Sequence, residues 1–125
     1  MDEFVIWQRA EGALVFAASL AAVVFLEPGF GWWLAILLFF APDVSFAAYL
    51  LGPRLGAIGY NLLHVFGFGS AVFCAGLLGG SATIMALGLL WLGHAGFDRM
   101  VGYGLKSSAG FCTTHLGTIG GTERR

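Results

Sequence analysis

Residues 31–51 read GWWLAILLFFAPDVSFAAYLL, and this stretch decides the class of protein to which the chain belongs. Its only charged side chain is that of Asp43. An α-helix needs about 20 predominantly apolar residues to cross the hydrocarbon core of a bilayer, which is roughly 30 Å thick. The stretch therefore predicts a membrane-spanning helix that carries one carboxylate.

Further apolar runs lie before and after this stretch, and turn compositions separate them. The turns are Glu27-Pro28-Gly29, Gly52-Pro53-Arg54 and Gly79-Gly80-Ser81, which suit short hairpins between antiparallel helices. The chain is 58% hydrophobic and 10% charged, against about 25% charged residues in soluble domains. We predict an all-α integral membrane four-helix bundle, up-down-up-down, in residues 1–100, with helices near 4–26, 31–51, 55–78 and 82–100.

The cations of the chain are distributed unevenly. They lie in the N-terminus, the second loop and the C-terminal segment, at Arg9, Arg54, Arg99, Lys106, Arg124 and Arg125. Because cytoplasmic loops carry the excess of Lys and Arg, the pattern predicts a multi-pass protein of the bacterial cytoplasmic (inner) membrane with both termini in the cytoplasm. Residues 101–125 are predicted to form a Gly-rich cytoplasmic tail, either disordered or an irregular lid over the cytoplasmic mouth.

Charge and size limit the partners of the chain. A formal net charge of -1 with six Lys and Arg residues argues against a nucleic-acid surface, because neutralising phosphates needs many clustered cations. The lipid bilayer is therefore the expected main partner. Short helices enclose little volume, so a homo-oligomer or a larger membrane complex is a further expectation.

Acidic and histidine side chains inside the predicted helices are the candidates for function. They are Glu11, Asp43, His64, His94 and Asp98. Each costs a few kcal/mol to insert, so each needs a partner or a purpose. At about 1.5 Å per residue from the cytoplasmic helix ends, all fall in the cytoplasmic half and could meet in one pocket. Pro42 adds to this, because a proline in mid-helix frees the carbonyl of Leu38 beside Asp43.

Two kinds of chemistry suit these residues. As catalytic groups, Asp43, His64, His94 and Asp98 would supply acid and base, with Asp98 orienting His94 from one turn away; a satisfied buried pair is the alternative. As metal ligands, Glu11, Asp43, His64 and His94 would bind a divalent ion between facing helices, although the usual Glu-x-x-His pairs are absent. The predicted substrate-binding residues are Glu11, Tyr60, Asn61, Trp91, Arg99, Tyr103, Lys106 and His115.

Several short motifs together resemble a known family. They are Pro42-Asp43-x-Ser45, Tyr60-Asn61-x-x-His64, His94-x-x-x-Asp98-Arg99, Gly102-Tyr103-Gly104-Leu105-Lys106 and Thr114-His115-Leu116-Gly117. The chain resembles, from Glu11 to Gly120, an uncharacterised bacterial family of small four-helix integral membrane proteins that is catalogued as a domain of unknown function. The resemblance implies the fold and the membrane location, and it implies no activity.

Three functions remain open from the sequence. The first is a membrane enzyme, an isomerase, cyclase or hydrolase, that acts on a lipophilic substrate through the Asp and His side chains. The second is a transport unit for a cation, a proton or a small metabolite. The third is a structural or accessory subunit of a membrane complex, in which the polar residues hold the helices together by hydrogen bonds.

Overall fold

The computed structural model of the chain describes residues 2–119 and is mostly helical. In chain order, its elements are α1 (Glu3–Leu26), α2 (Trp32–Phe40), a 3₁₀ helix (Ala41–Leu51), α3 (Pro53–His64), α4 (Phe66–Gly79), α5 (Ala82–Val101), and the strands β1 (Lys106–Ser107), β2 (Gly110–Thr114) and β3 (Gly117–Thr118). Side chains of Asp2 and Ser81 accept hydrogen bonds from the first turns of α1 and α5, which satisfies free N–H groups there.

Helix α5 lies at the centre and contacts every other helix. It runs antiparallel to α1: Nε of Arg9 donates to the carbonyl of Met100 at one end (2.9 Å), and the Thr83 hydroxyl donates to the carbonyl of Pro28 at the other (3.1 Å). Gly96 lies directly against the backbone of α1. The absence of a Cβ is what allows the two backbones to approach so closely.

Helix α4 also packs antiparallel on α5 through glycines. Gly69 lies against the backbone of Leu92, Gly76 against that of Met85, and Gly88 of α5 against that of Phe73. Apolar side chains fill the remaining space, with Val23, Ala86, Leu89 and Leu90 as the buried core. Small residues at helix contacts are typical of packing in lipid, where close backbone approach replaces the hydrophobic effect.

The second predicted span is not one continuous α-helix. Helix α2 ends at Phe40 and a 3₁₀ helix continues to Leu51, with Pro42 in its first turn. Proline has no N–H to donate to the carbonyl of Leu38, which instead accepts from the Ala41 N–H and from the Trp91 indole at 3.0 Å. The expectation that Pro42 frees this carbonyl is therefore confirmed.

The third predicted span, residues 55–78, is also not a single helix: the structure divides it into α3 and α4. Helix α3 ends at His64, Val65 adopts an extended conformation with ψ 146°, and α4 begins at Phe66. The two helices are bent by 46° relative to each other. The β-branched Val65 and the flexible Gly67 favour an interruption here, and the break places His64 at a free helix end.

The described part of the chain contains helical segments of membrane-spanning length. Two helical segments, Glu3–Leu26 and Trp32–Leu51, are long and apolar enough to cross a membrane, and a third is added if the bent pair α3 and α4 is one span. These segments indicate a membrane protein.

The C-terminal segment differs most from the expectation. Residues 106–118 form a three-stranded antiparallel sheet in the order β1-β2-β3, so this part of the predicted tail is neither disordered nor irregular, while its position as a lid over the cytoplasmic mouth stays a prediction. Lys106 pairs with Thr114, and Thr113 pairs with Thr118. Residues 120–125, with the predicted cytoplasmic cations Arg124 and Arg125, lie outside the described residues.

Candidate functional site

Two carboxylates and two imidazoles meet where the 3₁₀ helix, α3 and α5 come together. Nε2 of His94 lies 3.1 Å from Oδ1 of Asp43 and 3.5 Å from Oδ2 of Asp98. Nε2 of His64 lies 3.3 Å and 3.6 Å from the same two oxygens. The two Nε2 atoms are 3.2 Å apart. Each of the four residues contributes one ligand atom, and these four atoms all lie within 4.8 Å of one another. The group could therefore hold a metal ion.

The interruptions in the helices are what bring these side chains together. Asp43 lies in the first turn of the 3₁₀ helix, directly after Pro42. His64 is the last residue of α3, and its free carbonyl accepts a hydrogen bond from the buried guanidinium of Arg99 at 3.3 Å. A cation at a helix C-terminus is favourable because the carbonyl dipoles point towards it. The prediction of Arg99 as a substrate-binding residue gains no support from this contact, which is structural.

Hydrogen bonds fix the tautomer of His64. Its Nδ1 lies 2.7 Å from the carbonyl of Tyr60, which can only accept, so Nδ1 carries a proton and, in the neutral ring, Nε2 presents a lone pair to the cluster. The Tyr60 ring stacks on the imidazole with centroids 3.8 Å apart. The Tyr60 hydroxyl donates to Oδ2 of Asp98 at 3.2 Å. Tyr60 therefore orients one imidazole and one carboxylate at once.

His94 is held differently from the oriented base that the sequence suggested. Both carboxylates face Nε2, the nitrogen that would have to meet a substrate, and among the described residues Nδ1 has no hydrogen-bond partner. Phe39 and Phe40 pack edge-on against the ring at centroid distances of 5.2 and 6.0 Å. Nε2 of His64 faces the same two carboxylates, but a carbonyl at Nδ1 fixes the tautomer of His64, and this is the feature of an oriented base that His94 lacks.

A cavity of about 310 Å³ lies beside the cluster. Both carboxylates reach it, and its other polar lining comes from Tyr60, Tyr103 and Lys106. Phe46 and Ile119 line it as well; they were not singled out from the sequence, because an apolar side chain in an apolar chain carries no distinguishing signal. The cavity gives the two carboxylates contact with a space that can hold part of a small molecule.

The C-terminal sheet closes part of this cavity and is attached to α3. The Asn61 side-chain amide donates to the carbonyl of Lys106 at 2.8 Å and accepts from the Lys106 N–H at 2.6 Å. It thus forms both hydrogen bonds that a neighbouring strand would form with this residue. The Lys106 ammonium lies 5.0 Å from the centre of the Tyr60 ring. Burial lowers the pKa of Lys106, while Cys112 and Asp98 oppose this shift. Asn61, predicted to bind substrate, thus positions the strand that carries Lys106.

Other predicted residues do not join the cluster. Glu11 is exposed on α1, and in the metal-ligand group Asp98 takes the place predicted for it. Trp91 donates its indole N–H to Leu38 and stacks on Phe68 (5.4 Å), so it is committed to helix packing. His115 is exposed, and its Nδ1 accepts from the N–H of Leu105 at 2.8 Å.

A second, apolar cavity of about 330 Å³ lies close to His94. Phe39 and Phe40, which contact the imidazole, also line this cavity, together with Phe16 and Phe97. Its walls are nearly free of polar atoms. The rings of Phe39 and Phe40 therefore lie between His94 and the apolar cavity, while the carboxylate partners of His94 line the polar one.

Comparison with known families gives one result. Residues 5–119 match the family described as Domain of unknown function (DUF4260). The chain belongs to this family. The match covers nearly the whole chain, as the resemblance in the motifs indicated, and it assigns no activity to the cluster. No curated protein and no solved structure matches the chain significantly.

Proposed function

We propose that this family member is a membrane enzyme that performs acid/base chemistry on the polar end of a lipophilic substrate, as an isomerase, a cyclase or a hydrolase. The observation that carries the proposal is the access of both carboxylates to the cavity of about 310 Å³. A cluster that served only to hold helices together would have no need of such a space. Buried ionisable groups at a cavity are typical of functional sites in membrane proteins.

The two cavities suggest the class of substrate. The polar cavity contains the Lys106 ammonium, which suits an anionic or strongly polar group, and the apolar cavity near His94 suits a hydrocarbon chain. In the reaction, His64 would accept a proton through Nε2, and Asp43 or Asp98 would exchange one with the cavity. Tyr103, beside them in the cavity wall, would contact the substrate.

The test compares lipid extracts by mass spectrometry from cells that express the wild-type protein, Asp43→Asn or His64→Gln. Both substitutions keep approximate shape and remove proton transfer. We expect a lipophilic species to be consumed, and its product formed, with the wild-type protein alone. Glu11→Gln removes a carboxylate from the exposed face of α1 and serves as the matched control, which should act as the wild type does.

Identical extracts from all four strains, at equal amounts of folded protein in the membrane, would contradict the enzyme proposal. They would favour a structural or accessory role in a membrane complex, which has its own support: the Tyr60 to Asp98 and Arg99 to His64 hydrogen bonds connect α3 with α5. In that case Asp43→Asn should lower thermal stability, and a fixed partner or a second copy should co-purify.

The transport proposal from the sequence predicts movement of protons, metal ions or metabolites into proteoliposomes.

For topology we propose four spans in the bacterial inner membrane, with both termini and the cluster on the cytoplasmic side. The antiparallel packing of α1 and α5 supports this, as does counting α3 and α4 as one bent span. Helix α5 would be the fourth span, less apolar because its buried face carries His94, Asp98 and Arg99.

Labelling with a membrane-impermeant maleimide in intact spheroplasts tests this topology in a Cys74→Ser background. The exposed Cys112 should remain unlabelled, and a cysteine introduced by Glu27→Cys should be labelled.

A further inference from the structure

We propose that Asp43, His64, His94 and Asp98 bind one divalent transition-metal ion, with Zn²⁺ as the best match, through the two Nε2 atoms and one oxygen of each carboxylate. The proposal rests on the proposed function, because it names the agent that would act at that site. With an ion bound, Nε2 of His64 would be a ligand and could not accept a proton, so proton exchange with the cavity would fall to Asp43. It can nevertheless be measured without any substrate. Five distances between the four ligand atoms carry it.

The distances agree with a tetrahedral shell. Zn²⁺ binds imidazole nitrogen and carboxylate oxygen at about 2.0–2.2 Å, so neighbouring ligand atoms of a tetrahedral site are about 3.3–3.6 Å apart. The five distances in the cluster are 3.1, 3.2, 3.3, 3.5 and 3.6 Å. The remaining pair, the two carboxylate oxygens, lies within 4.8 Å. Five of the six separations thus agree with a tetrahedral shell.

The protonation of His64 is the one that a metal requires. Its Nδ1–H donates to the Tyr60 carbonyl, which leaves the Nε2 lone pair directed into the cluster. Metal-bound histidines characteristically donate their other N–H to a carbonyl or a carboxylate in this manner. The Tyr60 hydroxyl on Asp98 is a second such outer contact, since it holds a ligand carboxylate in place.

Charge favours the same conclusion. Two carboxylates with oxygens within 4.8 Å of each other repel, and the repulsion is strong away from bulk water. A divalent ion would neutralise both and would replace the contact between two Nε2 atoms at 3.2 Å by two metal bonds. Two imidazoles with two carboxylates form a ligand set that suits zinc and other first-row divalent ions rather than Ca²⁺ or Mg²⁺.

One ligand differs from the other three. The Asp43 side chain is 36% exposed, whereas those of His64, His94 and Asp98 are exposed by 0%, 2% and 10%. A catalytic zinc site keeps one position for water or substrate and has three protein ligands. We assign Asp43 as the exchangeable ligand and the three buried side chains as the permanent ones.

The experiment titrates the purified full-length protein in detergent, after removal of metal with a chelator, with Co²⁺ and then with competing Zn²⁺. We expect one ion per chain by elemental analysis and the intense visible absorption of tetrahedral Co²⁺. His64→Gln and Asp98→Asn should weaken binding by more than about 100-fold, which exceeds the loss of an outer contact. Tyr60→Phe, which removes an outer contact, should weaken it by about 10–100-fold.

Asp43→Asn should weaken binding less than Asp98→Asn, because it affects the exchangeable ligand. Glu11→Gln and His115→Gln, which lie outside the cluster, should bind as the wild type does. Circular dichroism and elution volume verify that each variant is folded. If a buried-ligand variant fails to fold, Tyr60→Phe and Asp43→Asn still distinguish the ligands from the controls.

Three results would overturn the proposal: less than one ion per chain, an octahedral Co²⁺ spectrum, or equal affinity in wild type and folded His64→Gln. Failure of metal binding with a persisting difference in lipid extracts would leave an acid/base enzyme without metal. Stoichiometric binding with identical extracts would leave the metal site and remove the enzyme. The two proposals therefore fail separately.

Discussion

Helices α1, α4 and α5 differ from the region formed by the 3₁₀ helix and α3. The first group consists of regular α-helices whose glycines allow backbone contact, with apolar side chains around them. The second group is interrupted, by Pro42 and by the break at Val65, and it contributes Asp43, Tyr60 and His64 to the polar cluster. Regular helices hold α5 in place, and the interruptions position reactive side chains against it.

The difference between the regular and the interrupted helices has a physical basis. A regular helix satisfies all its backbone groups internally and needs nothing from its neighbours except space. An interrupted helix leaves carbonyls that need donors, and here Trp91 and Arg99 supply them at Leu38 and His64. Packing and site geometry should therefore respond to different substitutions.

The largest effect is expected from a side chain added between the regular helices. In Gly88→Val, the new atoms would meet the backbone of Phe73, which cannot rotate away. Overpacking of this kind should lower the free energy of unfolding by about 3 kcal/mol. Thermal or denaturant unfolding in detergent measures it. Gly79→Ala on α4, where a Cβ meets nothing, should stay within about 0.5 kcal/mol of wild type; equal stability of both variants would contradict the packing argument.

Removing the helix interruption at Pro42 should change the geometry of the metal site without lowering the stability of the fold. Pro42→Ala supplies an N–H that can bond to Leu38, which favours an α-helical continuation and moves Asp43 around the helix axis. We expect unchanged or higher stability with Co²⁺ affinity reduced by about tenfold. Co²⁺ titration and thermal unfolding of the same sample test both parts. Lower stability with unaltered affinity would show that the interruption serves packing.

The smallest effect concerns the C-terminal sheet. Burial lowers the pKa of His115, and the charge of Arg99 adds to the shift. The neutral ring accepts the Leu105 N–H through Nδ1, so protonation removes an acceptor. The folded state binds the proton less readily than the unfolded state does. The contact therefore stabilises the fold fully at pH values above the ordinary pKa of about 6.5, and its contribution decreases as the pH falls below that value.

Hydrogen exchange of the Leu105 amide, corrected for intrinsic rates, measures this dependence. In the wild type, protection should be constant above about pH 6.5 and should decrease as the pH falls below that value. In His115→Gln it should be independent of pH over the same range. Protection that does not change with pH in the wild type would remove His115 as the acceptor that stabilises the sheet.

Patterns local in sequence predicted part of the site well. Runs of apolar residues between turn compositions indicated where helices lie, and Pro42 indicated where one would be interrupted. The presence of ionisable residues in apolar surroundings singled out Asp43, His64, His94 and Asp98, which the structure brings together. These inferences succeed because hydrophobicity and helix geometry act over a few residues.

Other features had no local signal. Glu11 was predicted in the same cytoplasmic half as the cluster, but it lies on the exposed face of α1, and depth says nothing of rotation about the helix axis. Arg99 and Lys106 read as surface cations, yet both are buried against aromatic rings of Phe66 and Tyr60. Their surroundings come from elements distant in sequence.

The sequence by itself determined that the chain belongs in a membrane, where its turns fall, and which side chains are costly enough to need a purpose, because burying charge has a price in any fold. The tertiary structure decided which of them meet. Asp98 joins the cluster and Glu11 does not, since the rotation of α1 and α5 is set by glycine contacts along their length. It also decided that His64 presents Nε2, because only the folded helix places the Tyr60 carbonyl against Nδ1.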